Sequence, residues 1–170
     1  MKCNIAARTL LMVFVAAFLV STAATAQAKH RDPCSVAGVA GDYGFTTTGT
    51  IVGIGPAAAV GRVTFEANGD ITGSQTRSVA GNVADETITG TYTVNPDCGG
   101  TLNANVYQSE SGVLVLVRTA TLNLVWVDNE REIQAIFTST VLQPSGTHLA
   151  AVLTIDAKRL FPEAGNQDEQ

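Results

Sequence analysis

Charge is scarce in this sequence: only 15% of its 170 residues are Asp, Glu, Lys or Arg. Histidine is scarcer still, with two, beside three cysteines and one tryptophan. Each shortage excludes something. Two His and three Cys leave little material for a zinc site or a His-centred catalytic triad. Ten cationic side chains stand against 15 carboxylates, and the pI near 4.8 leaves no basic face for nucleic acid. The length is that of one domain, which excludes a separate cofactor domain. No phosphate-cradling loop is present, because the glycines fall at strand ends rather than opening a helix. Asp128, Glu130 and Glu132 crowd one turn without calcium-loop spacing, and they read as a solvated hairpin. The expectation is therefore no cofactor, no metal and no assignable catalytic residue.

A long hydrophobic run is also missing, although the mean hydropathy of +0.19 suggests one. A single short segment inflates that value. Lys2 and Arg8 precede an apolar stretch of about eleven residues, Leu10 to Val20, too short to span a bilayer. Small-residue sites follow at Ala24-Thr25-Ala26 and Ala26-Gln27-Ala28. This order is that of a cleaved secretory signal peptide over residues 1–28. Cys3 lies ahead of the apolar run, so it is not a lipoprotein cysteine. Removing 28 of the 170 residues leaves 142 and takes away two of ten cations, so eight face 15 carboxylates, a net charge of −7. The remaining cysteines, Cys34 and Cys98, make an even pair in an oxidising compartment and are expected to form a disulfide. The expected location is secreted or periplasmic.

Helical periodicity is the third absence. After residue 30 the pattern is period-2 alternation rich in Thr and Val, broken by turn residues. It predicts strands over Asp42–Val52, Ala58–Ala67, Asp70–Val79, Glu86–Asn95, Thr101–Tyr107, Val113–Val127, Arg131–Val141 and His148–Lys158. Asn68-Gly69 predicts a type I′ turn. Asp128-Asn129 and Pro144-Ser145-Gly146 predict further hairpins. No connection leaves room for a crossover helix, so the strands form an antiparallel meander. The expected fold is all-β, an eight-stranded up-and-down barrel at 41–160, after an N-terminal segment at 29–40 and before a flexible acidic tail at 161–170. A membrane-spanning barrel fits poorly. It needs aromatic girdles and a lipid-facing apolar band, yet Thr87, Thr89, Thr91 and Thr93 alternate with Ile88, Tyr92 and Val94.

The stretch from Thr89 to Thr101, TGTYTVNPDCGGT, resembles the signature of a group of uncharacterised secreted bacterial β-barrel proteins. Gly41-Asp42-Tyr43-Gly44-Phe45 is similar to their opening G-x-Y-x-F. Gly61–Phe65 with Gly69–Gly73 is similar to their second hairpin. The resemblance runs from about Cys34 to Ile155 and implies no established activity. The architecture also resembles the allene-oxide-cyclase-like and lipocalin-like (calycin-type) barrels, a likeness of fold that does not carry function.

Strand parity puts Tyr43, Phe45, Thr47 and Ile51 inside, with Gln75, Arg77 and Arg118 as unusual polar members of inner rows. The row of Arg118 would include Leu114 and Leu116. Tyr43, Arg77, Tyr92, Arg118 and Trp126 are the candidate ligand-binding residues, since Arg and Tyr donors inside a barrel could hold a carboxylate. The plainer alternative places both arginines at barrel mouths, or has a β-bulge reverse their parity. Gly49, Gly73, Gly90 and Ala104 are expected to leave luminal space. The outer parity of the last three strands is apolar, through Val115, Val125, Ile136 and Val152, and suggests a homo-oligomer or a cover supplied by Asp32–Ala40. Three roles follow. The first is binding of a small apolar or amphipathic molecule. The second is a structural envelope protein acting through the apolar face. The third is a cyclase-type or isomerase-type enzyme, which would need a buried ionisable group beside a pocket. The scarcity of catalytic side chains favours binding over catalysis.

Overall fold

The computed structural model describes residues 34–160. The expected signal peptide and the acidic tail lie outside the described residues. Eight antiparallel strands close into a barrel in sequence order, each paired with its chain neighbours, and β1 pairs with β8. The strands are β1 (Gly41–Ile51), β2 (Gly55–Phe65), β3 (Asp70–Val79), β4 (Asn82–Val94), β5 (Gly99–Glu110), β6 (Val113–Val127), β7 (Glu132–Leu142) and β8 (Ala151–Arg159). Closure leaves no unpaired sheet edge. Among the described residues one short helix, α1 (Val36–Val39), precedes them. Among the described residues no helix is long and apolar enough to cross a membrane.

The alternation dictates the core. In β1, Tyr43, Phe45 and Thr47 are buried while Thr46 and Thr48 are exposed. In β4, Glu86, Ile88 and Tyr92 are buried. Two bulges break the parity rule. Val106 pairs with Arg118, but the next residue, Tyr107, pairs with Leu116, so Val117 is the extra residue. Ahead of that bulge the faces of β6 are exchanged. Val115 lies opposite Gln108, whose side chain is luminal, while Leu114 and Leu116 take the outer parity. The sequence expectation for Leu114, Leu116 and Val115 is thereby reversed, because one extra residue swaps every side chain beyond it. A second bulge in β7 skips Thr138, so Phe137 and Thr140 both face inward.

The β2–β3 turn also differs from expectation. Gly69 has φ +93°, but Asn68 keeps a negative φ, so the turn is not type I′. Gly69 N–H donates to Glu66 O, and Glu66 N–H donates to Asp70 O. This is a turn over Ala67-Asn68 followed by a left-handed glycine, a three-residue hairpin loop. The β6–β7 turn holds Asp128, Asn129 and Glu130 all at positive φ. Asp and Asn enter that region readily, whereas Glu does so only when its surroundings impose it. Here the Cys34 N–H donates to Glu130 Oε1 at 2.6 Å, and the Tyr43 hydroxyl reaches Glu130 O at 2.8 Å.

One end of the barrel is sealed. Ser35 caps α1 by accepting from Gly38 N–H at 3.1 Å. The helix lays Val39, fully buried, across the end formed by the start of β1 and the ends of β2 and β4. The disulfide between Cys34 and Cys98 anchors the segment, with Cα atoms 4.9 Å apart, and suits an oxidising environment. The segment therefore plugs a barrel end and does not cover the outer face of β6–β8. Arg159 holds it from the other side, donating to Ala40 O and lying 5.5 Å above the Tyr43 ring.

Candidate functional site

Beneath α1 sits an aromatic cluster. Phe65 meets Tyr43, Tyr92 and Trp126 edge-on, with centroids 5.3, 4.9 and 6.0 Å away. Edge-to-face contact pairs the positive ring edge with the negative face. The Tyr92 hydroxyl lies 2.7 Å from Glu66 O and 3.0 Å from Val36 O, and its one proton serves both carbonyls. Tyr43 does the same with Glu130 O and Val39 O. Burial, with Tyr43 and Glu66 nearby, pushes the Tyr92 phenol up to about 12. Burial also raises Tyr43, against the pull of the Arg159 charge. Both phenols are neutral donors at pH 7, committed to backbone carbonyls. Thus Tyr43, Tyr92 and Trp126 gather at the sealed end, and none of them lines either luminal cavity.

Arg77 and Arg118 lie elsewhere, in the middle of the lumen, where they converge on Glu86. The Glu86 side chain is fully buried. Arg118 clamps it in bidentate fashion, both contacts at 2.5 Å. Arg77 Nε donates to Oε1 at 2.7 Å, Gln75 to Oε2 at 2.6 Å and Gln108 to Oε1 at 3.0 Å. Gln108 continues the inner row of Leu102, Ala104 and Val106, and Arg118 that of Ala120 and Leu122. Burial alone would raise the Glu86 carboxyl. The hydrogen bonds and charge of Arg118, joined by the amides of Gln108 and Gln75, outweigh burial and hold it near 2.

This cluster partitions the lumen. Towards the sealed end lies an apolar cavity of about 80 Å³ among residues such as Phe45, Ile88, Leu122 and Phe137. Towards the other end lies a larger cavity of about 210 Å³. Its walls include Ile51, Ala57, Ala59, Leu149 and Leu153, and its mouth carries Ile54. Gln75 and Arg118 touch both cavities, and Arg77 touches the larger one.

Glu86 is the residue that sequence reasoning missed. Its signal was available: it shares the even parity of Ile88 and Tyr92. The alanine run Ala57–Ala59 was a second available signal, since Ala57 and Ala59 face the cavity. The glycines expected to leave space act differently. A Cβ on Gly90 would stand 2.0 Å from Asn103 O, and one on Gly73 would stand 2.3 Å from Arg62 O. They let neighbouring strands coil close together. Ala104 does line the smaller cavity.

The buried ionisable group that an enzyme would need is therefore present beside a pocket. Its chemistry is unsuited to proton transfer at neutral pH. A carboxylate held near 2 is a feeble base, and five donors already occupy its lone pairs. The cluster can orient and neutralise charge. His148 lies exposed, in an isolated bridge to Val141.

No protein-family model matches this chain, and no curated protein matches it. Two solved structures illustrate what the fold is similar to. The structure of EF1p2_mFAP2b bound to DFHBI matches 74% of this chain and 98% of its own, at 13% identity and a TM-score of 0.47. The S-type phycobiliprotein lyase CPES from Guillardia theta matches 73% of this chain and 89% of its own, at 8% identity and a TM-score of 0.38. These are likenesses of fold.

Proposed function

We propose that this chain is a secreted or periplasmic binding protein that holds a small apolar or amphipathic molecule in the open-ended luminal cavity. The reading keeps residues 1–28 as a signal peptide, 29–40 as the segment that includes the plug, and 41–160 as the barrel. One observation carries it: a lumen sealed at one end by α1 and aromatic rings, yet hollow and apolar-walled at the other. Sites of this kind take small molecules. Filling the cavity tests the reading. Ala59→Phe should abolish binding of a fluorescent apolar probe while leaving the β-sheet circular dichroism unchanged. Undiminished binding in a folded Ala59→Phe variant would refute it.

A second reading rests on the outer face of β6–β8. Val125, Ile136 and Val152 are 38%, 48% and 66% exposed. Val115 leaves the set, because the β6 bulge turns it inward. A second copy packing there makes a homodimer, and size exclusion with light scattering should give twice the chain mass. Val152→Asp should return it to a monomer. A wild-type monomer at high concentration ends this reading.

A further inference from the structure

The partition below the open cavity is not electrically balanced. It holds two guanidinium groups and one carboxylate. Arg118 satisfies Glu86 through both of its terminal nitrogens. Arg77 spends only Nε on Glu86, and among the described residues no protein acceptor meets its two terminal nitrogens. Glu86 has no lone pair left to offer them. The one carboxylate of β5, Glu110, stands exposed at the rim. One unneutralised cation with free donors therefore faces the cavity.

A second observation is independent of the charge. Thr47 and Thr140 are buried, and their hydroxyls have no hydrogen-bond partner. Both line the same cavity as Arg77. Thr47 stands opposite Ala59, and Ala59 stands opposite Arg77, so the two polar residues lie on one register row across three strands. A buried hydroxyl without a partner costs free energy. Two of them in one cavity, beside a cation with spare N–H groups, ask for a ligand that accepts hydrogen bonds and carries negative charge. The remaining wall, Ile51, Ile54, Val79, Leu142, Leu149 and Leu153, is apolar and runs to the mouth.

We propose that the open cavity binds a single-chain anionic amphiphile, with a carboxylate-sized head on Arg77, Thr47 and Thr140 and its apolar chain directed to the mouth. This rests on the binding reading above and names its ligand class. Arg77 supplies paired N–H donors to the head, Thr47 and Thr140 donate from the side, and the saturated Glu86–Arg118 pair forms the floor. Glu86 keeps Arg118 from competing for the ligand.

Isothermal titration of the full mature chain with decanoate, decanol and decyltrimethylammonium tests this at pH 7, below the concentrations at which these probes aggregate. Decanoate should bind at least about tenfold more tightly than decanol, the effect of one charge-assisted hydrogen bond. Decyltrimethylammonium should bind least. Arg77→Met should erase the preference for decanoate and leave decanol binding in place. The double variant Thr47→Val with Thr140→Val, which leaves the charge cluster intact, should weaken decanoate severalfold and decanol little. If decanol binds as tightly as decanoate, or if the preference survives undiminished in either variant, the anionic-head assignment is overturned while the cavity reading stands. If none of the three probes binds, both fall.

Discussion

Glu86→Ala should be the most damaging single substitution in the lumen. It removes the one carboxylate that two buried or half-buried guanidinium groups share. Breaking a buried ion pair from one side costs about 3–5 kcal/mol, because the remaining charge is left without a partner. Gln75 and Gln108 lose their acceptor too. Urea unfolding followed by tryptophan fluorescence should show the unfolding free energy fall by that amount, with a lower midpoint. The triple variant Glu86→Leu, Arg118→Met and Arg77→Met should recover most of the loss, since apolar side chains of similar volume need no counter-charge. A Glu86→Ala protein as stable as the parent would show that the cluster is solvated rather than buried. The same carboxylate makes stability depend on acid. Its folded value near 2 lies below its ordinary value of 4.5. Its contribution is complete above about pH 4.5 and is lost as the pH falls towards 2. The shift corresponds to about 3 kcal/mol. Glu86→Gln should flatten this part of the acid profile.

Removing the disulfide should have the next largest effect. Cys34 and Cys98 close a loop of sequence separation 64. The chain-entropy model gives roughly 4 kcal/mol for that length. The loss should be uneven in space. Cys34 anchors α1, which carries Val39 over the aromatic cluster and supplies carbonyls to Tyr43 and Tyr92. In a Cys34→Ala, Cys98→Ala variant, amide exchange should accelerate first over 34–40 and at the Asp128–Glu130 turn that Cys34 N–H holds. The central strands should exchange last. Uniform acceleration across the whole barrel would mean that the bridge acts only through the unfolded chain.

These two tests bear on opposite ends of one design. The plug makes a floor of aromatic rings and satisfied phenols, and the charge cluster makes a second floor above it. The larger space lies beyond the second floor and carries the exposed Ile54 at its mouth. Of the candidate residues, Arg77 and Arg118 belong to that space, whereas Tyr43, Tyr92 and Trp126 belong to the sealed end. Their common inner parity was legible in the sequence. Their separation into two levels was not, because parity tells which face a side chain takes and says nothing of its height along the barrel.

The sequence by itself determined the eight strands, their meander order and the cysteine pair. Alternation with a period of two fixes faces locally, short turns enforce antiparallel neighbours, and two cysteines allow one pairing. β3 and β6 run over the residues that the pattern predicts, Asp70–Val79 and Val113–Val127. Only the tertiary structure decided what depends on register between strands. A single skipped residue, Val117, exchanged the faces of Val115 and Leu116, and the pairing of β4 with β5 and of β5 with β6 brought Gln108 and Arg118 to the same carboxylate. A bulge has no strong local signal, since it relieves the curvature of a closed sheet rather than a preference of its own residues. The scarcity of charge thus acquires a location: three of the few charged side chains meet inside the barrel, where β3 and β4 pair directly and the curvature of the sheet brings β6 within reach of them.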